Sequence, residues 1–376
     1  MARRVAELPL HYGRAPRWLF TRMVTLAECI VDITIDEYGT KGLLERLSDP
    51  WFFQSLSCVL GFDWHSSGTT TVTCGALKEA IDVERHGLAV AGGKGKASNR
   101  TPDQIQEKAQ ALGLTSQRID RLVYSSRMAA KVDNALVQDG FPIYQHCFFF
   151  DEDGDWIVIQ QGISTQERMA RRYHWSLEHR SFVEEPENAI LCDEKRPLVL
   201  DMTSRMSTES RKASVDLANM RPEDLQRTFN QLKPGFQRSL DLWIGENALE
   251  TYQVSDGLQM PRNLNWEVMK KVYDFQPKDY EELVSMRNVG PATIRGLALV
   301  AELLYGTQPS WKDPVRYTFA FGGKDGVPFP VQRKAMDQAT ALLRNGIEEA
   351  KLGRDEKLRA VERLRRCVPV GQAEQT

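Results

Sequence analysis

No two cysteines in this sequence are spaced as Cys-x-x-Cys. The six, at positions 29, 58, 74, 147, 192 and 367, are scattered. That argues against a zinc ribbon and against a disulfide framework, and suits a reducing, cytoplasmic setting. Neither charge sign dominates: 49 basic residues face 51 acidic ones, for a net charge of −2. A uniformly basic, histone-like binder is excluded, so any affinity for nucleic acid must come from a local patch. Long apolar runs are also missing. MVTLAECIVDITI and LALVAELLYG are too short to span a bilayer and carry Glu28, Asp32 and Glu302, so no membrane crossing is expected. The opening MARRVAELPLHYGRAPRW has basic residues but no apolar stretch behind them of the kind a signal peptide needs. A Gly-x-Ser-x-Gly elbow, a Walker loop, a His-x-x-x-His pair and a solenoid period are absent too, which disfavours a serine hydrolase and a P-loop enzyme.

At 376 residues and 41% hydrophobic content the chain suits two or three globular domains. Helical spacing runs from about residue 16 to 47 and again over Ala76 to His86, and Thr101-Pro102 reads as a helix start before helices through Tyr124 to Val137. The clearest β signal is FPIYQHCFFF, then an acidic turn ending at Gly154, then DWIVIQQG, which together read as a hairpin. Beyond Asp201 the β signal fades and helices continue to the end. The expected fold is α+β: a mixed α/β module over residues 1–200 containing the β-hairpin, then an all-helical module over 201–376 with a helix, turn, helix at 277–306.

That turn, in SMRNVGPATIRG, carries the main functional signal. Gly290 can take a positive φ, and Pro291 suits the first helical position because its missing N–H has no intrahelical partner there. The amides of Ala292 and Thr293 then face outward, with the positive end of the helix dipole behind them. No acidic residue sits at the turn, and Arg287 and Arg295 are close by. A phosphate is the natural partner. Arg287, Val289, Gly290, Pro291, Ala292, Thr293 and Arg295 are therefore the candidate DNA-binding residues, against the competing reading of a hairpin that only completes a core.

The turn resembles the helix-hairpin-helix motif of DNA repair and replication proteins, which hold the duplex backbone without reading bases. In DNA glycosylases sharing that hairpin an aspartate follows about one helix later and a lysine can stand in the turn. Here Asp313 comes later than that spacing and Ala292 occupies the lysine position, so the resemblance disfavours a lyase-type glycosylase.

Other polar constellations lie in the first half. FDWHSSGTTT gathers Asp63, His65 and five hydroxyls, groups able to bind phosphate or a divalent metal, or to satisfy their own turn. GGKGKASNR supplies Lys94, Lys96 and Arg100 around flexible backbone amides, a candidate phosphate nest. Arg171 and Arg172 stand among aromatic residues in ARRYHW, a pattern suited to backbone contact and base stacking. Asp63, His65, Asp133 and His146 form the candidate catalytic set for metal binding or proton transfer, with Mg²⁺ or Mn²⁺ as the fitting ions, although no tight metal-ligand spacing appears.

The stretches LPLHYGRAPRWLF, DPWFFQSLSCVLGFDWHSSGTTT, GGKGK, AAKVDNALVQDG, WIVIQQG, ARRYHW and VGPATIRGLALVAELLYG resemble an archaeal and bacterial family known only as domain of unknown function 763, to about Val331. That resemblance implies no activity. The residues lead to a DNA-binding protein of DNA processing or maintenance, contacting backbone without sequence specificity. As an enzyme it would act as a nuclease by metal-assisted phosphodiester chemistry. The alternatives are a non-catalytic DNA-binding factor, and a nucleotide- or phosphometabolite-binding protein whose helical hairpin is structural.

Overall fold

Strands that are apolar on both faces need helices on both sides, and that is how this chain folds. The computed structural model describes residues 17–61, 68–166, 169–177, 181–192, 195–231, 260–261, 264–316, 333–350 and 353–367. The first half comprises α1 (Arg17–Ser48), α2 (Pro50–Leu60), α3 (Gly68–Ala80), α4 (Val83–His86), β1 (Leu88–Lys94), a 3-10 turn (Gly95–Arg100), α5 (Thr101–Ala111), α6 (Ser116–Ala135), β2 (Val137–Gln138), β3 (Ile143–Asp151), β4 (Trp156–Ser164), β5 (Met169–Trp175), β6 (Ala189–Leu191) and β7 (Leu200–Asp201). Then come α7 (Thr208–Ala218), a helical run over 222–231, α8 (Trp266–Phe275), α9 (Tyr280–Ser285), α10 (Pro291–Tyr305), α11 (Arg333–Glu349) and α12 (Arg354–Cys367). The fold is α+β. No helix among the described residues is long and apolar enough to cross a membrane.

The main sheet is antiparallel, in the order β1-β3-β4-β5-β6. Alternation along the strands separates two apolar faces. Ala89, Ala91, Phe148, Phe150, Val158 and Trp175 pack beneath α5 and α6 and share one continuous cluster with α7, α8 and α10. That cluster runs across residue 200, so the sheet and the later helices bury their apolar surface together. On the other face, Val90, Cys147, Phe149, Ile157 and Ile159 join α1, α2, α3 and α11. Helix α2, PWFFQSLSCVL, is buried all round, as its composition requires. Asp49 caps it by accepting from the amides of Trp51 and Phe52, and Gly61 closes it in the left-handed region at φ 111°. The five described cysteines are free thiols.

The open edge of β1 is guarded by cations. Lys78 donates to the Gly92 carbonyl at 2.6 Å and Lys108 to that of Val90 at 3.0 Å, while the Gly92 amide donates to Gln104. These three ladder groups are thereby satisfied and closed to a foreign strand. Gly92 itself holds φ at 96°, and a Cβ there would stand 2.2 Å from the His146 carbonyl oxygen. Gly92→Ala is therefore expected to destabilise the protein by about 3 kcal/mol or more, from a strained φ added to a backbone clash. Urea unfolding measures it, and a loss near zero would contradict this account of the strand pair.

Candidate nucleic-acid interface

Helix α9 begins at Asp279, whose carboxylate accepts from the Glu282 amide at 2.8 Å. Its C-terminal turn closes through the Val289 amide donating to the Met286 carbonyl at 3.2 Å. The left-handed residue is Asn288, at φ 67°, and not Gly290, which is extended at φ −131° and ψ −171°. Asparagine tolerates that region because its short amide bonds locally. Gly290 still serves α10 as the cap residue, and the Ile294 amide donates to its carbonyl at 3.0 Å. No side chain caps this end and no acid lies in its first turn. Pro291, Ala292 and Arg287 are exposed. Val289 and the Thr293 side chain are buried, so these two candidates contribute packing and backbone.

Helix α6 brings a further cationic group, Lys131, against the same turn. The Lys131 ammonium donates to the Met286 carbonyl. Burial pulls its pKa from the ordinary 10.5 to about 8. Gln138 donates to the Pro291 carbonyl at 2.8 Å and accepts from Arg295 at 3.0 Å. Burial also lowers the Arg295 pKa. One turn beyond Lys131, Asn134 accepts from the Ile143 amide at the start of β3. The next residue, Tyr144, holds its ring 5.8 Å from the Lys94 ammonium, and its hydroxyl accepts from Gln161 at 2.7 Å. Lys94, Lys96 and Arg100 are exposed on a loop whose Gly92, Gly93 and Gly95 all have positive φ. Lys131 and Asn134 on α6 and Tyr144 on β3 thus stand between the hairpin turn and the glycine-rich segment.

The other candidates lie elsewhere. Arg171 and Arg172, expected to meet phosphate, are wholly buried on β5. The Arg171 guanidinium binds Asp139 at 2.9 Å and Asp313 at 2.8 Å, and lies over the Phe141 ring. Burial alone would lower its pKa, but the two carboxylates outweigh that and raise it. Arg172 bonds Gln54 at 2.8 Å and lies over Phe53. Neither is turned to a phosphate, because strand alternation turns Arg172 toward α2 and Arg171 toward the segments that carry Asp139 and Asp313.

Asp133 and His146 are buried too. The His146 Nδ1–H donates to Gln160 at 2.7 Å, and its Nε2 accepts from Ser126 at 2.8 Å. Burial lowers its pKa to about 4, so the ring is neutral at pH 7. Gln160 passes the chain on to Asp133, which also accepts from the Trp175 indole at 3.1 Å. Burial and the neighbouring Glu187 push the Asp133 carboxyl well up, while burial raises Glu187 to about 7. Two carboxyls face each other here, and a charge on Glu187 disfavours ionisation of Asp133. Glu187 was not singled out from sequence, because nothing in EEPENA marks it for burial. Asp63 and His65 lie outside the described residues. Among the described residues no group of three His, Cys, Asp or Glu side chains is placed to hold a metal ion; Asp133 and His146 are joined there through Gln160.

No curated protein and no solved structure matches the chain. Residues 4–331 match the model of a family described as a protein of unknown function, DUF763.

Proposed function

This chain belongs to the DUF763 family, and we propose that it binds duplex DNA through the phosphate backbone along the band from the hairpin turn to the glycine-rich loop. The supporting observation is the exposed, uncapped start of α10 meeting Lys131, Arg287 and Arg295 at one end of a band that continues to Lys94, Lys96 and Arg100. Outward amides at a helix start attract a phosphate; spaced cations extend the contact to successive phosphates and release counterions. Main-chain groups and flexible cations carry no base code, so the binding has no sequence preference.

The test is fluorescence anisotropy with a random-sequence duplex over a range of KCl. With about five phosphates neutralised, the logarithm of affinity falls against the logarithm of salt with a slope of about −4 to −5. Ala292→Glu should weaken binding at least about tenfold, because a carboxylate occupies the phosphate position. The same carboxylate suits the helix dipole and leaves folding unchanged or better by about 0.5 kcal/mol. Binding is thus lost without loss of structure. Absence of retention at low salt, or full retention by Ala292→Glu, overturns the proposal.

A further inference from the structure

A cavity of about 540 Å³ opens between α7, the start of α9 and the segment 181–184. Its floor includes Tyr280, whose hydroxyl is buried and has no hydrogen-bond partner among the described residues. Buried polar groups are almost always satisfied, so an orphan beneath a cavity calls for an occupant that completes it. Beside it, Arg211 is fully committed, donating to the carbonyls of Met202 and Ser204 and to Glu184 and Thr208. Two of the acids at the mouth are committed as well: Asp279 caps α9, and Glu281 accepts from the Tyr124 hydroxyl at 2.8 Å. Two exposed rim residues of opposite charge, Asp216 and Lys278, have side chains in no ion pair among the described residues.

An occupant must therefore offer hydrogen-bonding atoms at its inner end, donors for a carboxylate and a modest negative charge for an ammonium. It also needs an apolar body to lie against Val183, Val215 and the Tyr280 ring. The volume falls within the range of small-molecule sites, too large for a single amino acid. We propose that this cavity binds a nucleoside carrying at most one phosphate. The base edge reaches the Tyr280 hydroxyl, the ribose diol meets Asp216 and the monophosphate meets Lys278. Four carboxylates (Glu184, Asp216, Asp279 and Glu281) against three cations (Arg211, Lys212 and Lys278) line the cavity, a balance that penalises a triphosphate. The site stands apart from the DNA-binding band: the cavity is at the N-terminal end of α9 and the hairpin turn at its C-terminal end.

Isothermal titration of the full chain with the four nucleoside 5′-monophosphates tests this, with ATP and ribose 5-phosphate alongside. At least one monophosphate should bind saturably at submillimolar concentration, with ATP and ribose 5-phosphate weaker. Asp216→Asn and Lys278→Gln, both surface changes, should each weaken it about fivefold or more, and Tyr280→Phe about fivefold through the lost hydrogen bond. Tyr280→Phe removes only an unpartnered hydroxyl, so its melting temperature without ligand should not fall. All three variants should retain duplex DNA as the parent does, which separates this result from the fate of the DNA-binding proposal. No saturable binding by any monophosphate, or binding that none of the three variants weakens, overturns the assignment.

Discussion

Arg171→Met is expected to lower the unfolding free energy by about 3–5 kcal/mol at neutral pH, the cost of removing one partner from a buried ionic group. The guanidinium has no solvent exposure, and the carboxylates of Asp139 and Asp313 that flank it are almost as fully enclosed. Methionine fills much of the volume but leaves two anions facing each other away from water. Some donors remain: Asp139 keeps the Tyr173 hydroxyl and the Phe141 amide, and Asp313 keeps the amides of Arg196 and Val315. None of these neutralises a charge. The pH dependence gives the mechanism its own signature. Burial already raises the Asp139 pKa in the parent, where Arg171 holds it down. In the variant the folded state binds protons at higher pH than the unfolded chain, whose carboxyls titrate near about 4. The deficit should therefore shrink as pH falls through the raised values. Adding Asp139→Asn and Asp313→Asn to Arg171→Met should recover most of the loss. Denaturant melts at pH 7 and pH 5 decide the matter. A deficit under about 1 kcal/mol, or one independent of pH, would mean that the triad does not hold this layer together.

The same triad shows where the sequence stops being legible. The hairpin of β3 and β4 is readable from local composition: two aromatic and β-branched runs flank an acidic turn, and the register follows, with Phe149 opposite Ile157. Strand β5 sits beside it with every residue buried, yet MARRYHW looks like a solvated basic patch because adjacent arginines rarely enter a core. What admits them is distant in sequence. Asp313 is 142 positions from Arg171, and Gln54 is 118 from Arg172. No local pattern encodes such a pairing.

At the hairpin the sequence places the turn and the helix start correctly, because glycine followed by proline has few backbone solutions. The left-handed residue is Asn288, while Gly290, which precedes a proline, is extended. Lys131 and Asp133 lie on different faces of α6: Lys131 meets the turn while Asp133 enters the core, which only the tertiary structure reveals.

Duplex binding should weaken as pH rises from 7 to 9.5, with most of the change between about 7.5 and 9, and Lys131→Met should abolish that dependence. Burial places the free Lys131 pKa near 8, so the group is mainly charged at pH 7 and mainly neutral at pH 9. A phosphate beside the turn favours the ammonium and raises its pKa in the complex, so binding above pH 8 draws in a proton. Losing one phosphate contact of this kind should cost about tenfold in affinity, and the slope against salt should fall by about one. Folding responds with the opposite sign. The unfolded chain holds this proton up to about 10.5 and the folded chain only to about 8. The unfolded state therefore binds more protons in that window, and the parent gains stability as pH rises through it. Because Lys131 is only partly buried, solvent screening reduces the effect to about 1 kcal/mol. Lys131→Met should thus be slightly more stable than the parent at pH 7 while binding DNA more weakly there. A lysine whose role is structural would give the reverse: a less stable variant and a pH profile for DNA binding that does not change.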